Sequence, residues 1–495
     1  MQNIPLEPHA FPNHSLTSSR TKATKQDTLT IELRRCKLNK FREIDPKYLS
    51  LSIDISVLAG GNWWEGSNAV HKGLGANKVE ALNLNNPELD RLVAPLAPFY
   101  IRLGGSESDT VDYFLPVAQK KKNLLLSQEH WDGLHTFVKR NKLKLYFTAK
   151  YGVFDRKQHG HWDGTELESL LQYSKQQGYE LNIAELGNEL NAYWIFHGIT
   201  AQPGPKNLAK DYRRFSQLMK SYYSEVRISG PGSAFWPKLG EPIAPFSNIT
   251  RSFLENISDD LDIIDWHYYP FQSKRSPVRT RTARYSSMLN PRSFEDFAKY
   301  CGLLKSWRKR YHPEAELWTG ESGSAQCGGQ AGISDRWASS FWWADQLGLG
   351  AKLGQSVMIR QSLIGGDYGL IDRCTLQPRP DYWLSVFWVK LMGTRVHPVH
   401  CKDKYLRTYC HENTKGERTL LLINLTEESR AVNCEEFGKP FEQFEFTAPS
   451  LDSKTLFING LDASTLIDSL DINRVPSKKL SHELAGRSIN FWRLQ

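Results

Sequence analysis

The sequence predicts an α/β protein: a (β/α)8 TIM barrel with an accessory antiparallel β-sandwich domain. Two patterns carry this prediction. Short apolar runs alternate with amphipathic segments between residues 48 and 392, as in repeated βα units around a parallel sheet. From about residue 393 the pattern changes to short alternating runs separated by turn residues, which is typical of antiparallel strands. A chain of 495 residues is long enough for a barrel of about 250 residues or more and one further domain.

Eight runs have the length and the apolar content of buried strands. They cover residues 49–57, 99–103, 143–149, 181–186, 227–230, 263–267, 316–320 and 355–360. Amphipathic segments predict helices at residues 127–142, 165–178, 206–225, 293–311, 334–348 and 380–392. Eight βα units in succession predict a barrel whose chemistry lies at the carboxyl ends of its strands.

The chain divides into four predicted segments. Residues 1–25 are polar, rich in Ser and Thr, and are expected to form a disordered arm. Residues 26–44 contribute a strand to the sandwich, because residues 28–33 alternate in polarity and chain ends often meet. The barrel covers residues 45–392, and the sandwich domain covers residues 393–495.

The charge balance points to an anionic partner. The chain has 63 Lys and Arg against 54 Asp and Glu, a net charge of +9, which favours an anionic polysaccharide, a nucleic acid or an anionic membrane surface. The basic residues are dispersed and no recognition motif accompanies them, so we expect no nucleic-acid partner. No run of about 18 apolar residues is present, which predicts no membrane span.

Cysteine usage and the N-terminus say little about the cellular compartment. The seven Cys show no paired spacing and no His spacing typical of zinc, so we predict no metal site and leave the disulfide state open. The first 25 residues lack the apolar core of a signal peptide. Localisation therefore stays open, although the substrate class argued below favours a secreted or periplasmic protein.

Two glutamates are the candidate catalytic residues. The apolar run at 183–186 ends in Gly187-Asn188-Glu189, which places Glu189 at the end of the fourth predicted strand. Glu321 ends the seventh strand, so both carboxylates point into the same mouth of the barrel. Glycoside hydrolysis requires such a pair, one to protonate the leaving oxygen and the other to stabilise or attack the anomeric carbon.

Other strand ends carry groups suited to the same chemistry. His267 and Tyr268 close the sixth strand and are able to hydrogen-bond a carboxylate, or they are packed core residues. Arg102, on the second strand, is suited to pair with the nucleophile, or it is structural beside a Gly-Gly turn. Asp54, on the first strand, is a candidate acceptor for a sugar hydroxyl or a cap of a helix or loop. The pair Trp63-Trp64 provides either sugar-stacking walls or loop packing.

As a set, these motifs resemble the heparanase-like enzymes of glycoside hydrolase family 79. The resemblance runs from about residue 45 to 395. The motifs that carry it are Arg102-Leu-Gly-Gly-Ser, Glu185-Leu-Gly-Asn-Glu189, Trp266-His-Tyr-Tyr, Trp318-Thr-Gly-Glu321-Ser, Ile359-Arg360-Gln361 and Pro380-Asp381-Tyr382-Trp383-Leu384. It implies a TIM barrel with a β-sandwich, in agreement with the patterns above, and a retaining β-glucuronidase that needs no cofactor.

The resemblance also implies roles for individual residues. Glu189 matches the family's proton donor and Glu321 its nucleophile, while Asn188 is expected to bond the sugar's 2-hydroxyl. The positions expected to hold the uronate carboxylate or line the same subsite are Tyr368, Gly328, Gly329, Gln361, Asp54 and Ser106. Cys327 stands where heparanase has Gly, and its side chain is expected to crowd the carboxylate pocket. The short segment 109–128 replaces the excised linker of mammalian heparanase, which predicts a single-chain enzyme.

A basic loop follows the sixth strand. Its cationic residues are Lys274, Arg275, Arg279, Arg281 and Arg284. Guanidinium groups match sulfate and carboxylate oxygens, so the loop is predicted to grip a polyanionic chain; the alternative is a solvated loop without a partner. The favoured substrate is an anionic glycosaminoglycan such as heparan sulfate, with hyaluronan, small β-glucuronides and a non-catalytic polyanion-binding role as alternatives. We expect a monomer.

Overall fold

The computed structural model describes residues 30–35, 41–65, 77–114, 124–152, 160–238, 240–241, 248–257, 261–276, 278–469 and 471–495. The predicted arm at residues 1–25 lies outside these ranges. Within them, eight parallel strands form a closed barrel in sequential order. The barrel strands are β1 Leu49–Asp54, β2 Tyr100–Gly104, β3 Lys144–Ala149, β4 Ile183–Leu186, β5 Arg227–Ala234, β6 Ile263–Tyr268, β7 Glu316–Ser322 and β8 Val357–Arg360.

The predicted barrel is confirmed, with strand ends that differ from the predicted ones by a few residues. One main helix follows each strand: α1 Pro87–Val93, α2 Gln128–Arg140, α3 Thr165–Gln176, α4 Pro205–Tyr222, α5 Thr250–Asn256, α6 Arg292–Tyr311, α7 Trp337–Leu353 and α8 Pro380–Leu391. The sequence prediction missed α1 and α5. Each has only 7 residues, too few to show a helical period in the sequence.

Alternation along the strands separates the barrel interior from the helix-facing surface. One interior layer is an apolar cluster of Tyr146, Ile183, Ile263, Trp318, Val357 and Ile359. Two residues further along several of these strands, the interior positions become polar, as at Thr148, Glu185 and Asp265, all fully buried. Because side chains alternate with a period of two, an apolar layer below and a polar layer near the mouth follow directly from the strand sequences.

The C-terminal region forms two β-sheets whose strands are mostly antiparallel. The larger sheet has eight strands in the order Leu461–Asp462, Phe457–Ile458, Pro440–Thr447, Ser488–Leu494, Arg418–Asn424, Leu406–Glu412, Arg395–His397 and Arg42–Glu43. A smaller sheet contains Ile31–Glu32, Arg430–Asn433 and Glu483–Leu484. Segments from both ends of the described chain therefore pair in this region, and Ile31–Glu32 runs parallel to its neighbour.

Both faces of the larger sheet are buried. Leu420 and Leu422 belong to a small apolar cluster that includes Ile31, Val432 and Leu484 of the smaller sheet. The alternate residues Leu421 and Ile423 belong instead to the main core around the barrel. On that side the ring of Phe387, in α8, lies 4.9 Å from the ring of Phe446. The accessory sandwich is thus packed against the barrel through α7 and α8. None of the helices in the described part of the chain combines the length and the apolar character that a bilayer span requires.

Candidate active site

A cleft of about 860 Å³, counting its open mouth, lies at the carboxyl ends of the barrel strands. Ten residues that the sequence singled out line it: Asp54, Trp63, Trp64, Ser106, Glu189, Glu321, Cys327, Gly328, Gln361 and Tyr368. They come from the ends of five different βα units. A cleft at this end of the barrel is where the fold places its chemistry.

The two candidate carboxylates face each other inside this cleft. One carboxylate oxygen of Glu189 and one of Glu321 lie within 4.8 Å of each other, and a ring nitrogen of His267 lies within 4.8 Å of each of these oxygens. Glu189 is 5% exposed and Glu321 is 6% exposed. The two groups therefore share a small, largely dehydrated volume, in which charges act on each other strongly.

Glu321 is held by two donors. Nη1 of Arg102 donates to Oε2 at 2.8 Å, and the hydroxyl of Tyr269 donates to Oε1 at 2.5 Å. Both carboxylate oxygens are thereby oriented, and the positive charge of Arg102 offsets the negative charge of Glu321. Tyr269 follows β6 directly and belongs to the Trp266-His-Tyr-Tyr motif, although it was not among the predicted site residues.

Arg102 has further partners at the same level of the barrel. Its Nη2 donates to Oε2 of Glu185 at 2.9 Å and to Oδ1 of Asn188 at 2.9 Å, and its Nε donates to the same Glu185 oxygen at 3.2 Å. The side chain is fully buried. A Cβ on Gly104 would lie 2.6 Å from Nη1 of Arg102, so the absence of a side chain at Gly104 leaves room for the guanidinium group. Arg102 therefore links β2 to the ends of β4 and β7.

Glu189 lies in an environment that favours its protonated form. Burial raises the pKa of Glu189 well above its usual range, and the negative charge of Glu321 raises it further, while Arg102 and a hydrogen bond from Trp236 act in the opposite direction. Nδ1 of His267 lies 3.2 Å from Oε1 of Glu189. Burial, aided by Arg102, lowers the pKa of His267 well below its usual range, so this imidazole is neutral.

The backbone of Glu189 is held in an uncommon conformation. Its φ is +51°, in the left-handed region that residues with a side chain seldom adopt. The preceding turn is fixed by Asp109, whose Oδ2 accepts from the backbone N–H of Asn188 at 3.0 Å. Burial raises the pKa of Asp109 to about 6. Oδ1 of Asn188 accepts from Arg102, and Asn188 is 3% exposed and is not among the described residues that line the cleft, so its bond to the sugar's 2-hydroxyl stays a prediction.

The opposite side of the cleft is polar. Asp54 caps the short helix Ile55–Ala59 by accepting from the N–H of Ser56 at 2.9 Å, and it also accepts from Nε2 of Gln361 at 3.2 Å. Asp54 is therefore a helix cap that also lines the cleft, and its bond to a sugar hydroxyl stays a prediction. Burial raises the pKa of Asp54 to about 8, with a contribution from the charge of Glu321. Tyr368 lies beside this pair, with 3% of its surface exposed.

A glycine-containing turn after β7 forms another wall. Gly328 has a φ of +79°, and a Cβ there would lie 2.0 Å from the carbonyl oxygen of Trp64, so only Gly fits. Cys327 lines the cleft as expected from the resemblance, and burial raises the pKa of its thiol to about 12. Gly329 does not line the cleft. Its carbonyl accepts from Nη1 of Arg275 at 3.1 Å, so Gly329 serves to shape the turn.

Besides that of Gly329, three predicted roles are corrected by the structure. Tyr268 points out of the barrel and packs on α6, where its ring lies 5.1 Å from that of Phe297. The alternation of β6 explains this, because the neighbouring His267 points inward. His267 itself is fully buried beneath Glu189 and supports that carboxylate; it does not line the cleft.

Arg275 is the third correction. It was predicted to bind a polyanion, but it is 3% exposed and donates to the carbonyl of Cys327 at 2.9 Å and to Asp367. Arg281 is also less available to a polyanion than predicted, because it pairs with Asp296 at 2.5 Å. The other three loop cations, Lys274, Arg279 and Arg284, are exposed and line a second depression together with Tyr285, which we call the basic hollow.

Two groups among the described residues have the spacing of metal ligands. They are Glu185 with Asp265 and His267, and Glu189 with His267 and Glu321. Arg102 already supplies a positive charge within 2.9 Å of both Glu185 and Glu321. Glu185 also accepts from Thr148, and Asp265 from Tyr146. One carboxylate of each group is therefore already paired with Arg102.

Comparisons with known proteins agree with this geometry. A family profile described as "Glycosyl hydrolase family 79, N-terminal domain" matches residues 53–348. The chain is 26% identical over 485 residues to heparanase of Rattus norvegicus, which covers 85% of this chain and 84% of that protein. It is 26% identical over 457 residues to hyaluronoglucuronidase of Hirudo nipponia, covering 83% and 90% of the two proteins.

A third relative and one solved structure extend the comparison. The chain is 27% identical over 456 residues to baicalin-beta-D-glucuronidase of Scutellaria baicalensis, covering 83% of each protein. The structure of a family 51 alpha-L-arabinofuranosidase from Bifidobacterium longum aligns with a TM-score of 0.66 at 11% identity, covering 94% of this chain and 100% of that one. At that identity the structural likeness speaks for the fold alone.

Proposed function

Because this chain belongs to glycosyl hydrolase family 79 and is a glycoside hydrolase, we propose that it is a retaining β-glucuronidase. The substrate that we propose is an anionic glycosaminoglycan such as heparan sulfate. Two carboxylates would cleave its β-glucuronidic bonds by double displacement.

The separation of Glu189 and Glu321 carries the mechanistic part of the proposal. Their nearest oxygens lie within 4.8 Å. Retaining glycosidases hold their carboxyl groups about 5–5.5 Å apart, whereas inverting enzymes need about 6.5–9.5 Å to admit a water molecule. The short separation supports direct attack by one carboxylate on the anomeric carbon.

The surroundings of the two residues support their different roles. Glu189, whose pKa is raised, is the acid that protonates the leaving oxygen. Glu321, oriented by Arg102 and Tyr269, attacks the anomeric carbon and forms the glycosyl–enzyme bond. Glu189, then deprotonated, removes a proton from the water that hydrolyses this bond and releases a product of retained configuration.

The polar half of the cleft suits a glucuronic acid ring. We assign Asp54 and Gln361, which line the cleft, to ring hydroxyls, and the amide of Asn188, next to Glu189, to the 2-hydroxyl. The hydroxyl of Tyr368 and the backbone N–H of Gly328 would hold the uronate carboxylate. This assignment uses neutral donors for the carboxylate, so recognition of the sugar depends on hydrogen-bond geometry rather than on a cation.

The basic hollow supports a polymeric, anionic substrate. Replacing Lys274, Arg279 and Arg284 together by Ala should raise KM for heparan sulfate and flatten its dependence on salt concentration. An exposed ion pair contributes about 0.5 kcal/mol, so three of them amount to roughly a tenfold change in KM. KM for an aryl β-glucuronide, which is too small to reach the hollow, should stay the same.

A charge-matched control is available on α6. Lys299, Lys305 and Lys309 are exposed on this helix and do not line the cleft or the hollow. Their triple replacement by Ala lowers the net charge equally and should leave both KM values unchanged. Equal effects of the two triple variants would assign the salt dependence to net charge and remove the hollow from the proposal.

The pH dependence of kcat/KM should report Glu189. Because Glu189 acts while protonated and its pKa is raised, kcat/KM for a substrate with a poor leaving group should fall as pH rises through that pKa. An aryl glucuronide whose phenol is acidic enough to leave without a proton should lack this alkaline limb. If both substrates lose activity over the same pH range, the limb belongs to another group.

The family relatives frame the choice of substrate. Their names include a heparanase, a hyaluronoglucuronidase and a glucuronidase of baicalin. A parallel assay of heparan sulfate, hyaluronan and an aryl β-glucuronide, with the anomeric configuration of the product followed by NMR, tests the proposal. Hydrolysis of none of the three would reject it and leave a non-catalytic polyanion-binding role, which the intact pair of carboxylates disfavours.

A further inference from the structure

We infer that the side of the cleft next to Glu189 is an apolar subsite that receives an uncharged leaving group with an apolar ring face. This inference rests on the proposed function and narrows its substrate. It concerns the group attached directly through the scissile bond, whereas negative charges on the substrate would be bound further away, in the basic hollow.

The strand order divides the cleft into two halves. Polar residues come from the ends of β1, β2 and β8, which are neighbours in the closed barrel, and include Asp54, Ser106 and Gln361. The segments that follow β4, β5 and β6 lie across from them in the same barrel. They contribute Ile195, Trp236 and Val278 to the cleft.

Glu189 belongs to this apolar half. Trp236 lies close enough to the carboxyl group of Glu189 to lower its pKa, and Ile195 lies on the short helix Tyr193–Phe196 that follows Glu189. The acid of a glycosidase must contact the oxygen of the leaving group. The leaving group is therefore expected on the side formed by Trp236, Ile195 and Val278, and the glucuronic acid ring on the polar side.

The chemistry of this wall selects against charge. Val278 is 40% exposed, so its side chain is accessible to a group that binds in the cleft. Among the described residues that line the cleft, none is Lys or Arg, while Asp54, Glu107, Glu189 and Glu321 are acidic. A sulfate group placed beside the apolar wall would lose water without gaining a cation from the residues that line the cleft. An uncharged ring would instead cover the indole of Trp236 and the aliphatic side chains.

One polar group in this region remains to be satisfied. Gln326 lines the cleft and is 8% exposed, and its Nε2 has no hydrogen-bond partner among the described residues. Buried donors normally have a partner. This nitrogen is itself buried, so the amide would have to rotate toward the cleft before an acceptor on the leaving group, such as a hydroxyl or acetamido oxygen, could supply the bond.

The cations of the basic hollow lie beyond this subsite. Lys274, Arg279 and Arg284 share the hollow with Gln330 and Ile333, which follow the turn at Gly328. Arg279 directly follows Val278 of the cleft in the chain, so the hollow adjoins the cleft on this side. A polymer would place an uncharged sugar beside Glu189 and an anionic group only further along the chain.

Two synthetic oligosaccharides test the inference directly. They have the same length and differ only in whether the glucosamine at the scissile bond is N-acetylated or N-sulfated. We expect kcat/KM to be higher by about tenfold or more for the N-acetylated compound. We also expect hydrolysis of 4-nitrophenyl β-glucuronide, whose leaving group is an aromatic ring without a sulfate or carboxylate. Equal or better cleavage of the N-sulfated compound would overturn the inference.

Two variants locate the effect in the wall. Ile195→Ala should lower kcat/KM for the aryl glucuronide by roughly fivefold, through lost apolar contact. Ile199→Ala is its control, since Ile199 is 67% exposed and lies outside the cleft. Val278→Arg should reverse the preference toward the N-sulfated compound, while Leu480→Arg, at a 47% exposed position of the C-terminal region, adds the same charge without effect.

The outcomes separate this inference from the proposed function. If no β-glucuronide of any kind is hydrolysed, the proposed function fails. If the aryl glucuronide is cleaved with retention but Ile195→Ala and Val278→Arg behave like their controls, the proposed function stands and the apolar subsite is rejected. Folding is not at issue for Val278→Arg, because that side chain is already exposed.

Discussion

Replacement of Glu321 by Gln should lower kcat/KM for every β-glucuronide by about 10⁴-fold or more, because the nucleophile of the covalent step is lost. Gln keeps the shape of the side chain and an oxygen to accept from Arg102 or Tyr269. The fold should therefore persist, as circular dichroism and the melting temperature would report. Full activity of this variant would reject the two-carboxylate mechanism.

Variants of Glu189 and of Glu321 should differ in how their activity depends on the leaving group of the substrate. Glu189→Ala should be inactive toward poor leaving groups yet still form the glycosyl–enzyme from an activated aryl glucuronide, which needs no proton. Added azide should then give a β-glucuronyl azide from Glu189→Ala and an α-glucuronyl azide from Glu321→Ala. Azide products of the opposite configuration would exchange the roles of the two residues.

Arg102→Met should be the most damaging substitution for stability. It leaves Glu185 without its cation in a fully buried position and removes one of the two donors to Glu321. Breaking a buried pair by removal of one partner costs about 3–5 kcal/mol, because the remaining charge stays uncompensated. Urea denaturation measures this change, and kcat should fall as well, since Glu321 loses its orientation.

Arg281→Met is the control for this substitution. Arg281 also pairs with an aspartate, Asp296, but the two side chains are 23% and 34% exposed. Such a pair contributes about 0–1 kcal/mol. Adding Glu185→Gln to Arg102→Met should restore part of the lost stability, because it removes the unpaired charge. A loss at Arg102 no larger than that at Arg281 would show that the buried carboxylates are protonated in the variant and need no partner.

The sequence predicted the barrel and the pair of glutamates that meet at its mouth. Both depend on local patterns: apolar runs of strand length, repeated with helical segments, and a Glu directly after the fourth and seventh runs. Once eight parallel strands close in order, their carboxyl ends must share one mouth. Glu189 and Glu321 were therefore predictable together, although 131 residues separate them in the chain.

Alternation along β6 was also present in the sequence and would have corrected one prediction. His267 and Tyr268 are adjacent, so only one of them is able to face the barrel interior. The buried His267 faces Glu189, and Tyr268 packs on α6. The strand then ends, and Tyr269, free of the alternation, turns to donate to Glu321.

The tertiary structure alone decided which charges are available. Five cations in one loop look equivalent in sequence, yet Arg275 is buried against the carbonyl of Cys327 and Arg281 pairs with Asp296, while Lys274, Arg279 and Arg284 stay exposed. The apolar wall of the cleft combines side chains that follow three different strands. Strand patterns are fixed by neighbours in sequence, whereas burial and charge pairing depend on groups distant in the chain, which only the closed barrel brings together.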